Sequence, residues 1–378
     1  MTTSIPVVLV SGFLGAGKTT MINDLLRSPE FVGAAVLVNE LGDISLDHDL
    51  IAHVDGDMVS TTTGCLCCTA SGDVQQALFE LWNQIVQGRI AAFSRVIVEA
   101  TGLVDPAPVL SGLLAPPVGD FVQRTVVTQF SLSRFVTLFD IVNGDAMLEW
   151  HLEARKQVAL ADVIVLTKTD LSRDPGTLAD IENSKATIAQ LNPGAAILDR
   201  HDDWDALKTA CLASSTYDLR GRDKDGLAWL GAEGVLQDGA HEQTHPGDIR
   251  NDAPSNISQH GHHGDTGAHD PNRHAGGIMS HCIVLDEPIT PLMFQDFLDG
   301  LKTSAGPDLL RMKGLFRLTD DPERPIVAHG VQRNLYPIDR LEQWPSEDKR
   351  TRIVLIGKDL NIDAMCAVLK STERSLSV

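Results

Sequence analysis

The sequence Gly12-Phe13-Leu14-Gly15-Ala16-Gly17-Lys18-Thr19 constrains the fold more than any other feature of the chain. It matches each of the eight positions of a phosphate loop, with the β-rich run Ile5–Val10 before it and a predicted helix at Lys18–Arg27 after it. The glycines allow backbone N–H groups to turn toward phosphates, which then meet the N-terminus of the helix. The sequence therefore predicts a strand, a phosphate-binding turn and a helix at the start of an α/β domain.

Several side chains of this loop are predicted to bind a nucleotide and its magnesium ion. Lys18 supplies a positive charge for the phosphates and is a candidate catalytic residue, and the Thr19 hydroxyl is a candidate Mg²⁺ ligand. The predicted nucleotide contacts here are Gly12, Gly15, Ala16, Gly17, Lys18, Thr19 and Thr20. The alternative is a glycine-rich turn of no function, which the eight matched positions and their context disfavour.

Further apolar, β-branched runs alternate with predicted helices in the first part of the chain. The strands are predicted at Val36–Val38, Arg95–Glu99, Phe135–Asp140 and Val163–Thr167, and the helices at Gln75–Gln87, Leu148–Leu160 and Leu178–Leu191. Alternating strands and helices indicate a mostly parallel sheet with helices on both faces. We therefore predict an α/β P-loop domain over residues 1–220.

The composition changes near residue 220 and changes back near residue 278. Residues 221–277 are rich in Gly, Asp, Asn and His, and a structureless segment of this length is typical of a linker or functional loop. The rest is predicted as a smaller α+β domain over residues 278–378, in the order β-α-β-β-β-α. Its predicted elements are Ser280–Leu285, Pro291–Leu301, Leu309–Leu318, Ile326–Leu335, Arg352–Ile356 and Ile362–Leu369.

The tetrapeptide Thr167-Lys168-Thr169-Asp170 follows an apolar strand, as a guanine-reading loop should. The Asp170 carboxylate can accept two N–H bonds from guanine, and adenine does not offer that pair. Hydrogen bonds to a charged group contribute about 1.5–3 kcal/mol each, so Lys168 and Asp170 predict a preference for GTP over ATP. The alternative is an ordinary surface Lys and Asp at the end of a strand.

Two acidic segments follow strands and are candidates for sensing the γ-phosphate. Glu99 ends a predicted strand before Ala100-Thr101-Gly102, so it can hold a water of the Mg²⁺ ion. The segment Asn39-Glu40-Leu41-Gly42-Asp43 carries two acids and a flexible glycine, which suits a switch. Glu99 and Asp43 are the further catalytic candidates, and the alternative for either is a solvated loop carboxylate.

Three thiols lie within four positions in Gly64-Cys65-Leu66-Cys67-Cys68. Thiolates select zinc, copper(I) or iron–sulfur clusters over hard cations, whereas the alternative is three small buried apolar residues. Zinc takes four ligands, with sulfur at about 2.3 Å, so Cys65, Cys67 and Cys68 leave one position open. An open position suits delivery, and Glu40 is the candidate fourth ligand in one nucleotide state. The isolated Cys211, Cys282 and Cys366 are predicted to be core or incidental residues.

Histidines are concentrated after residue 240. Eight of the thirteen are His241, His245, His260, His262, His263, His269, His274 and His281. This segment is either a polar connector or a weak multidentate metal collector. About 58 flexible residues have an r.m.s. span of roughly 40 Å, so the segment can reach the cysteines across a domain whose radius of gyration is near 17 Å, by rough scaling. We predict that His241, His245, His260, His262 and His263 are weak accessory metal ligands.

The net charge of -20 provides no basic field for nucleic acid or anionic lipid, and it suits cations. No run reaches the roughly 18 apolar residues of a membrane span, and Met1-Thr2-Thr3-Ser4 lacks the features of a secretion signal. We therefore expect a cytoplasmic protein whose six cysteines stay reduced, with neither nucleic acid nor membrane as a partner.

Taken together, the motifs resemble those of the CobW-type metallochaperone GTPases, relatives of the urease and hydrogenase accessory GTPases. They are Gly12–Thr19, Asn39–Asp43, Gly64–Cys68, Glu99–Gly102 and Thr167–Asp170, and the C-terminal part adds Leu310–Gly314, Trp344 and Arg352–Gly357. The resemblance implies a GTPase fold with slow hydrolysis of GTP to GDP and phosphate. It also implies Zn²⁺, or a related divalent ion such as Co²⁺, at the cysteines, and delivery to a client metalloprotein. A homodimer is left open.

Two residues depart from the family pattern. Thr167 stands where the guanine loop usually has an Asn that braces the base and the phosphate loop, and Leu41 replaces a Phe of the switch segment. The leading interpretation is a GTP-hydrolysing metallochaperone that delivers Zn²⁺ under nucleotide control. The alternatives are a cobalt chaperone for cobalamin synthesis or for a cobalt enzyme, a passive zinc buffer, and an interaction module that uses no nucleotide.

Overall fold

The computed structural model describes residues 4–38, 72–171, 175–213, 277–303, 308–335 and 339–370. In its first part, a sheet contains β1 (Ile5–Gly12), β2 (Ala34–Val38), β3 (Arg95–Glu99), β4 (Phe130–Asp140), β5 (Val163–Thr167) and β6 (Ala196–Asp199). The strand order is β2-β3-β1-β4-β5-β6, and each neighbouring pair is parallel. The prediction of a parallel sheet is confirmed.

Helices cover both faces of this sheet. They are α1 (Lys18–Leu26), α2 (Gly72–Val86), α3 (Ala107–Leu114), α4 (Phe121–Val127), α5 (Gly144–Trp150), α6 (Leu152–Leu160), α7 (Pro175–Leu191) and α8 (Trp204–Leu212). On β1, Val7 and Leu9 belong to the core under α2, α3 and α6, whereas Val8 and Val10 belong to the core under α1 and α8. Because both faces are buried, the strands are continuously apolar rather than alternating.

The C-terminal part forms a second, antiparallel sheet. Its elements are β7 (Ile278–Leu285), α9 (Pro291–Thr303), β8 (Leu309–Phe316), β9 (Ile326–Val331), β10 (Asn334–Leu335), β11 (Asp339–Arg340), β12 (Thr351–Lys358) and α10 (Ile362–Lys370). The strand order is β10-β9-β8-β12-β7, and β11 pairs with β9. One face packs on α9 and α10, with Phe294 and Phe297 against Phe316. The predicted order β-α-β-β-β-α agrees with the longer elements β7, α9, β8, β9, β12 and α10, whereas the two-residue strands β10 and β11 come in addition.

Some element boundaries differ from the predictions. The single helix predicted at Leu148–Leu160 is wrong, because His151 takes an extended conformation and separates α5 from α6. The strand predicted at Ile326–Leu335 is divided into β9 and β10 by a turn in which Gln332 has a φ of 53°. The N-terminal half of β4 was also not predicted, and α3, α4, α8 and β6 are further elements beyond the predictions.

The second sheet packs on the helices that cover one face of the first sheet. Apolar residues of the C-terminal sheet, including Leu310, Val354 and Ile356, belong to the same buried core as α6 and α7. At the end of α6, the Arg311 guanidinium donates to the carbonyl oxygens of Leu160 and Ala161 and to the Asp162 carboxylate. Within the described ranges, no helix is long and apolar enough to cross a membrane.

Candidate nucleotide site

The phosphate loop connects the end of β1 to the start of α1. Gly12 has a φ of 143°, and a Cβ atom at this position would lie 2.7 Å from the carbonyl oxygen of Leu138 on β4. Gly17 precedes the helix in a left-handed conformation, with a φ of 92°. Both positions therefore require glycine, one because a strand is close and the other because of its backbone angle.

The end of α1 in this loop is suited to anions. In the described structure, no side chain caps the Gly17 end of the helix, and no acidic residue lies in its first turn. The N–H groups at a helix N-terminus carry a partial positive charge and bind phosphates when no side chain occupies them. Thr20 lies in the same turn and is exposed.

Lys18 is folded over the loop. Its Nζ donates to the carbonyl oxygens of Gly12, at 2.9 Å, and Phe13, at 3.3 Å, and the residue is only 9% exposed. These carbonyl contacts hold the ammonium group against the loop that is predicted to bind phosphates.

Thr19, in the first turn of α1, contacts Glu99, the last residue of β3. The Thr19 hydroxyl donates to Oε1 of Glu99 at 3.1 Å, and Glu99 is 6% exposed. Behind Glu99, a Cβ atom at Gly102 would lie 2.8 Å from the backbone nitrogen of Leu14, so the segment after β3 packs directly on the phosphate loop. Two predicted site residues, 80 positions apart in the sequence, are therefore brought together.

Thr167 connects β5 to the phosphate loop. Its hydroxyl lies 3.0 Å from the carbonyl oxygen of Ala16 and 3.3 Å from that of Phe139, and it donates toward both. The Thr167 side chain therefore contacts the phosphate loop.

Lys168 and Asp140 form an ion pair beside this contact. Lys168 has a φ of 62°, and its Nζ lies 2.6 Å from Oδ2 of Asp140, the last residue of β4. Burial alone would raise the pKa of Asp140, but hydrogen bonds from Lys168, Asn143 and the Val142 N–H hold it below its usual range. The Asp140 carboxylate therefore stays charged and fixes the Lys168 side chain.

Asp170 faces a histidine of the next loop. Its Oδ1 lies 3.3 Å from Nε2 of His201, which follows β6. The neighbouring Asp199 accepts hydrogen bonds from the His201 N–H at 2.7 Å and the Asp202 N–H at 3.1 Å. The loops after β5 and β6 thus meet at the carboxyl end of the sheet, where open α/β sheets bind their ligands.

The remaining predicted residues lie outside the described residues. They are Glu40, Asp43, Cys65, Cys67, Cys68, His241, His245, His260, His262 and His263. His281 lies on β7, not in a linker, and burial lowers its pKa. Burial raises the pKa of Cys211 to about 12, as suits a core residue. In the described part of the chain, no group of three or more His, Cys, Asp or Glu side chains could hold a metal ion.

Three residues at this edge were missed by the sequence predictions: Asp140, Asp199 and His201. A signal existed for Asp140, because it ends a predicted strand, and the predicted strands before and after it in the sequence end in Glu99 and Thr167. It was weaker for Asp199 and His201, because β6 has only four residues and none of them is fully buried.

Two parts of the sequence match known protein families. Residues 6–199, just over half of the chain, match the CobW/HypB/UreG nucleotide-binding domain. The chain belongs to the CobW/HypB/UreG family. Residues 278–373 of this family member match the C-terminal domain of the cobalamin synthesis protein CobW. The resemblance and the fold class predicted from the sequence are therefore confirmed.

Relatives of this family member extend over nearly all of the chain. It is 27% identical to the zinc chaperone YjiA of Escherichia coli, over 94% of the chain and 95% of YjiA. It is 26% identical to the zinc-regulated GTPase metalloprotein activator 1 of Schizosaccharomyces pombe, over 94% of the chain and 83% of that protein. It is 27% identical to the zinc chaperone CobW of a Sinorhizobium species, over 93% of the chain and 92% of that protein.

The fold is shared with a solved structure of this family. The crystal structure of Zn(II)-bound YjiA GTPase from Escherichia coli is similar with a TM-score of 0.61 and 23% identity, over 97% of this chain and 98% of that one. The parallel nucleotide-binding sheet and the C-terminal antiparallel sheet thus occur together in both proteins.

Proposed function

We propose that this chain is a GTP-hydrolysing metallochaperone, which binds Zn²⁺ at Cys65, Cys67 and Cys68 and delivers it to a client metalloprotein under nucleotide control. The hydrogen bond of 3.1 Å between Thr19 and Glu99 carries this proposal, because it joins the phosphate loop to the end of β3. A γ-phosphate that changes this contact would move the segment after Glu99. The GTPase class agrees with the names of the relatives.

The donors at this contact fit Mg²⁺, since hydroxyl and carboxylate oxygens are the hard ligands that this ion prefers. Thr19 would hold the ion directly and Glu99 would hold it through water. When bound there, the ion neutralises charge on the β- and γ-phosphates. Lys18 and the N–H groups of α1 bind the phosphate oxygens, and Asp43 of the switch segment is the remaining candidate catalytic residue.

The role of Glu99 can be tested with Glu99→Gln. The amide oxygen can still accept the Thr19 hydrogen bond, but the negative charge is lost. We expect this variant to need a higher Mg²⁺ concentration for half-maximal hydrolysis, while Glu80→Gln, on the surface helix α2, behaves as wild type. An unchanged Mg²⁺ dependence in Glu99→Gln would remove Glu99 from the magnesium site.

Asp170 is proposed to read the base. Asp170→Asn provides a direct test, because an amide N–H can donate to O2 of xanthine and opposes the 2-amino group of guanine. We expect Asp170→Asn to lose affinity for GTP and to gain affinity for xanthosine triphosphate, measured by displacement of a fluorescent nucleotide. Wild-type protein should bind GTP at least about tenfold more tightly than ATP.

The metal part of the proposal is supported by the sequence and by the names of the relatives. Three thiolates leave one zinc position open, and Glu40 of the switch segment is proposed to fill it in one nucleotide state. The cysteine motif lies in the sequence between this switch segment and β3. A movement of the switch segment would therefore be transmitted along the chain to the cysteines that hold the ion.

Nucleotide control can be tested by titrating a zinc-competing dye against protein loaded with GTP or with GDP. We expect zinc affinities that differ by roughly 5- to 150-fold, a coupling of about 1–3 kcal/mol, and zinc should change the GTP-to-GDP affinity ratio by the same factor. Glu40→Ala should reduce the difference. The triple variant with Ser at Cys65, Cys67 and Cys68 should lose the tight ion. Equal affinities in both states would favour the passive buffer.

The histidine-rich segment is proposed to add only weak ions. Deletion of residues 241–277 should leave one tight Zn²⁺ per chain and remove weaker binding. Loss of the tight ion on deletion would show that the segment supplies one of its ligands. Metal analysis of protein from metal-limited native cells separates the zinc chaperone from the cobalt alternative.

A further inference from the structure

We propose that His201 is a second base-reading residue, whose Nε2–H donates a hydrogen bond to O6 of guanine while Asp170 binds the N1–H and N2–H groups. The role of His201 rests on the proposed function, since Asp170 is assigned there to guanine. The observation behind it is the distance of 3.3 Å between Nε2 of His201 and Oδ1 of Asp170.

Asp199 holds the loops of His201 and Asp170 next to each other. The Asp199 carboxylate accepts hydrogen bonds from the backbone N–H groups of His201 and Asp202, at 2.7 and 3.1 Å, and from the side chain of Thr169. Thr169 belongs to the loop of Asp170. One carboxylate therefore ties the loop after β5 to the loop after β6, which sets the distance between Asp170 and His201.

His201 is the donor of its loop that faces Asp170. The adjacent Arg200 contacts Asp24 with its guanidinium and stacks over the Trp204 ring at 4.3 Å. The side chains of Asp199, Asp202 and Asp203 are carboxylates and cannot donate when charged. His201 and Asp170 have side chains that are 54% and 46% exposed, so a base can reach both.

The chemistry of guanine explains why both groups are needed. Its edge presents the donors N2–H and N1–H in a row with the acceptor O6. A carboxylate can satisfy the two donors, whereas O6 requires an N–H donor beside it. When the base binds Asp170, both Asp170 oxygens accept from guanine, and the imidazole Nε2–H, which lies beside one of these oxygens, can donate to O6. Adenine has an amino group at this position, so the same N–H would meet another donor.

The test compares GTP, inosine triphosphate and 6-thio-GTP in the full-length protein with Mg²⁺, measured by displacement of fluorescent GDP. Inosine triphosphate keeps O6 but lacks the 2-amino group, and 6-thio-GTP has a weakly accepting sulfur in place of O6. His201→Phe keeps a flat ring without a donor and should weaken GTP and inosine triphosphate by about 3- to 10-fold. It should weaken 6-thio-GTP by less than about twofold, because little hydrogen bonding is lost there.

A matched variant, His201→Gln, retains an N–H donor and should bind GTP nearly as tightly as wild type. Equal losses for GTP and 6-thio-GTP in His201→Phe would overturn the O6 contact and leave His201 as a residue that only positions Asp170. No loss for any of the three nucleotides would overturn the role of His201 and leave its proximity to Asp170 as a surface contact without a part in binding the base.

The guanine assignment itself is tested separately by Asp170→Asn. If this variant keeps the wild-type preference for GTP over xanthosine triphosphate, both the assignment of Asp170 and the role of His201 are overturned. If it changes preference and His201→Phe binds all three nucleotides as wild type does, only the role of His201 is overturned.

Discussion

The hydroxyl of Thr167 at the end of β5 donates a hydrogen bond to the carbonyl oxygen of Ala16 in the phosphate loop, 3.0 Å away. Thr167 is buried, so water cannot readily replace this donor. The Thr167 hydroxyl therefore connects the end of β5 to the phosphate loop. The Thr167 side chain has no amide group, and Asp170 is the residue proposed to read the base.

The first prediction concerns this connection. Thr167→Val keeps the side-chain shape but removes the hydroxyl, so we expect GTP and GDP to bind about 3- to 10-fold more weakly, corresponding to about 0.5–1.5 kcal/mol. Thr167→Ser retains the hydroxyl and is the matched control. Fluorescent GDP titration measures both. An equal loss in the Ser variant would assign the effect to the methyl group rather than to the hydrogen bond.

Two strands show how much of the fold the sequence could predict. Arg95–Glu99 and Val163–Thr167 were predicted with both ends as observed, because each contains a short apolar run that ends in a polar residue. Strands covered on both faces have this pattern. The phosphate loop was equally predictable, since its function restricts the residue type at each position.

The contacts that the sequence could not predict depend on tertiary structure. The break between α5 and α6 occurs at His151, where neither Gly nor Pro interrupts the sequence. Its ring packs on the Phe13 ring with centroids 4.6 Å apart, which links the helix break to the phosphate loop. The pairing of Asp170 with His201 likewise requires β5 and β6 to be neighbours.

The second prediction concerns Lys18. Its ammonium group already lies over the loop, 2.9 Å from the carbonyl oxygen of Gly12. Lys18→Met removes the charge that is proposed to bind the phosphates and should lower GTP hydrolysis by about 100-fold or more. Phosphate release measures the effect, and circular dichroism checks that the variant is folded.

A matched control is Lys185→Met on α7, whose ammonium pairs with Glu182 at 2.9 Å on the surface. Turnover in this variant should stay at the wild-type rate. Hydrolysis by Lys18→Met at more than about a third of the wild-type rate would place the catalytic site elsewhere, since loss of one transition-state contact has a larger effect.

The third prediction concerns the contact between the two sheets. Arg311 of β8 binds the carboxylate of Asp162, and Lys313 lies 3.4 Å from the same oxygen. Burial alone would raise the pKa of Asp162, but the charges of Arg311 and Lys313 hold it well below its usual range. Removal of one partner from a buried ion pair costs about 3–5 kcal/mol.

We therefore expect Arg311→Met to lower the free energy of unfolding by about 3 kcal/mol or more, and Asp162→Asn to lower it as well. The double variant should be more stable than the sum of the two single effects predicts, because it leaves neither charge of that pair unpaired. Urea unfolding followed by fluorescence provides the four free energies. Additive effects would show that the two side chains act independently.

The last prediction follows from His329, which lies opposite Lys313 on β9. Burial and the nearby charges of Lys313 and Arg311 lower the pKa of His329 to about 3. In the unfolded chain it should titrate near its ordinary value of about 6.5. Between these two values the unfolded state binds more protons than the folded state, so the stability from this group is present above about pH 6.5 and is lost as the pH falls.

Between pH 7.5 and pH 5.5, His329 should therefore reduce the free energy of unfolding by about 1.4 kcal/mol. The Gln side chain of His329→Gln does not titrate. Between pH 7.5 and pH 5.5, the free energy of unfolding of this variant should therefore fall by about 1.4 kcal/mol less than that of wild type, as measured by urea unfolding at each pH. The neighbouring Lys313, whose pKa burial and Arg311 lower to about 7, changes stability mainly at higher pH, between its folded value and that of the unfolded chain. Parallel pH profiles for wild type and His329→Gln would show that His329 becomes protonated in the folded protein near its ordinary pKa, which would require water to enter the contact between the sheets.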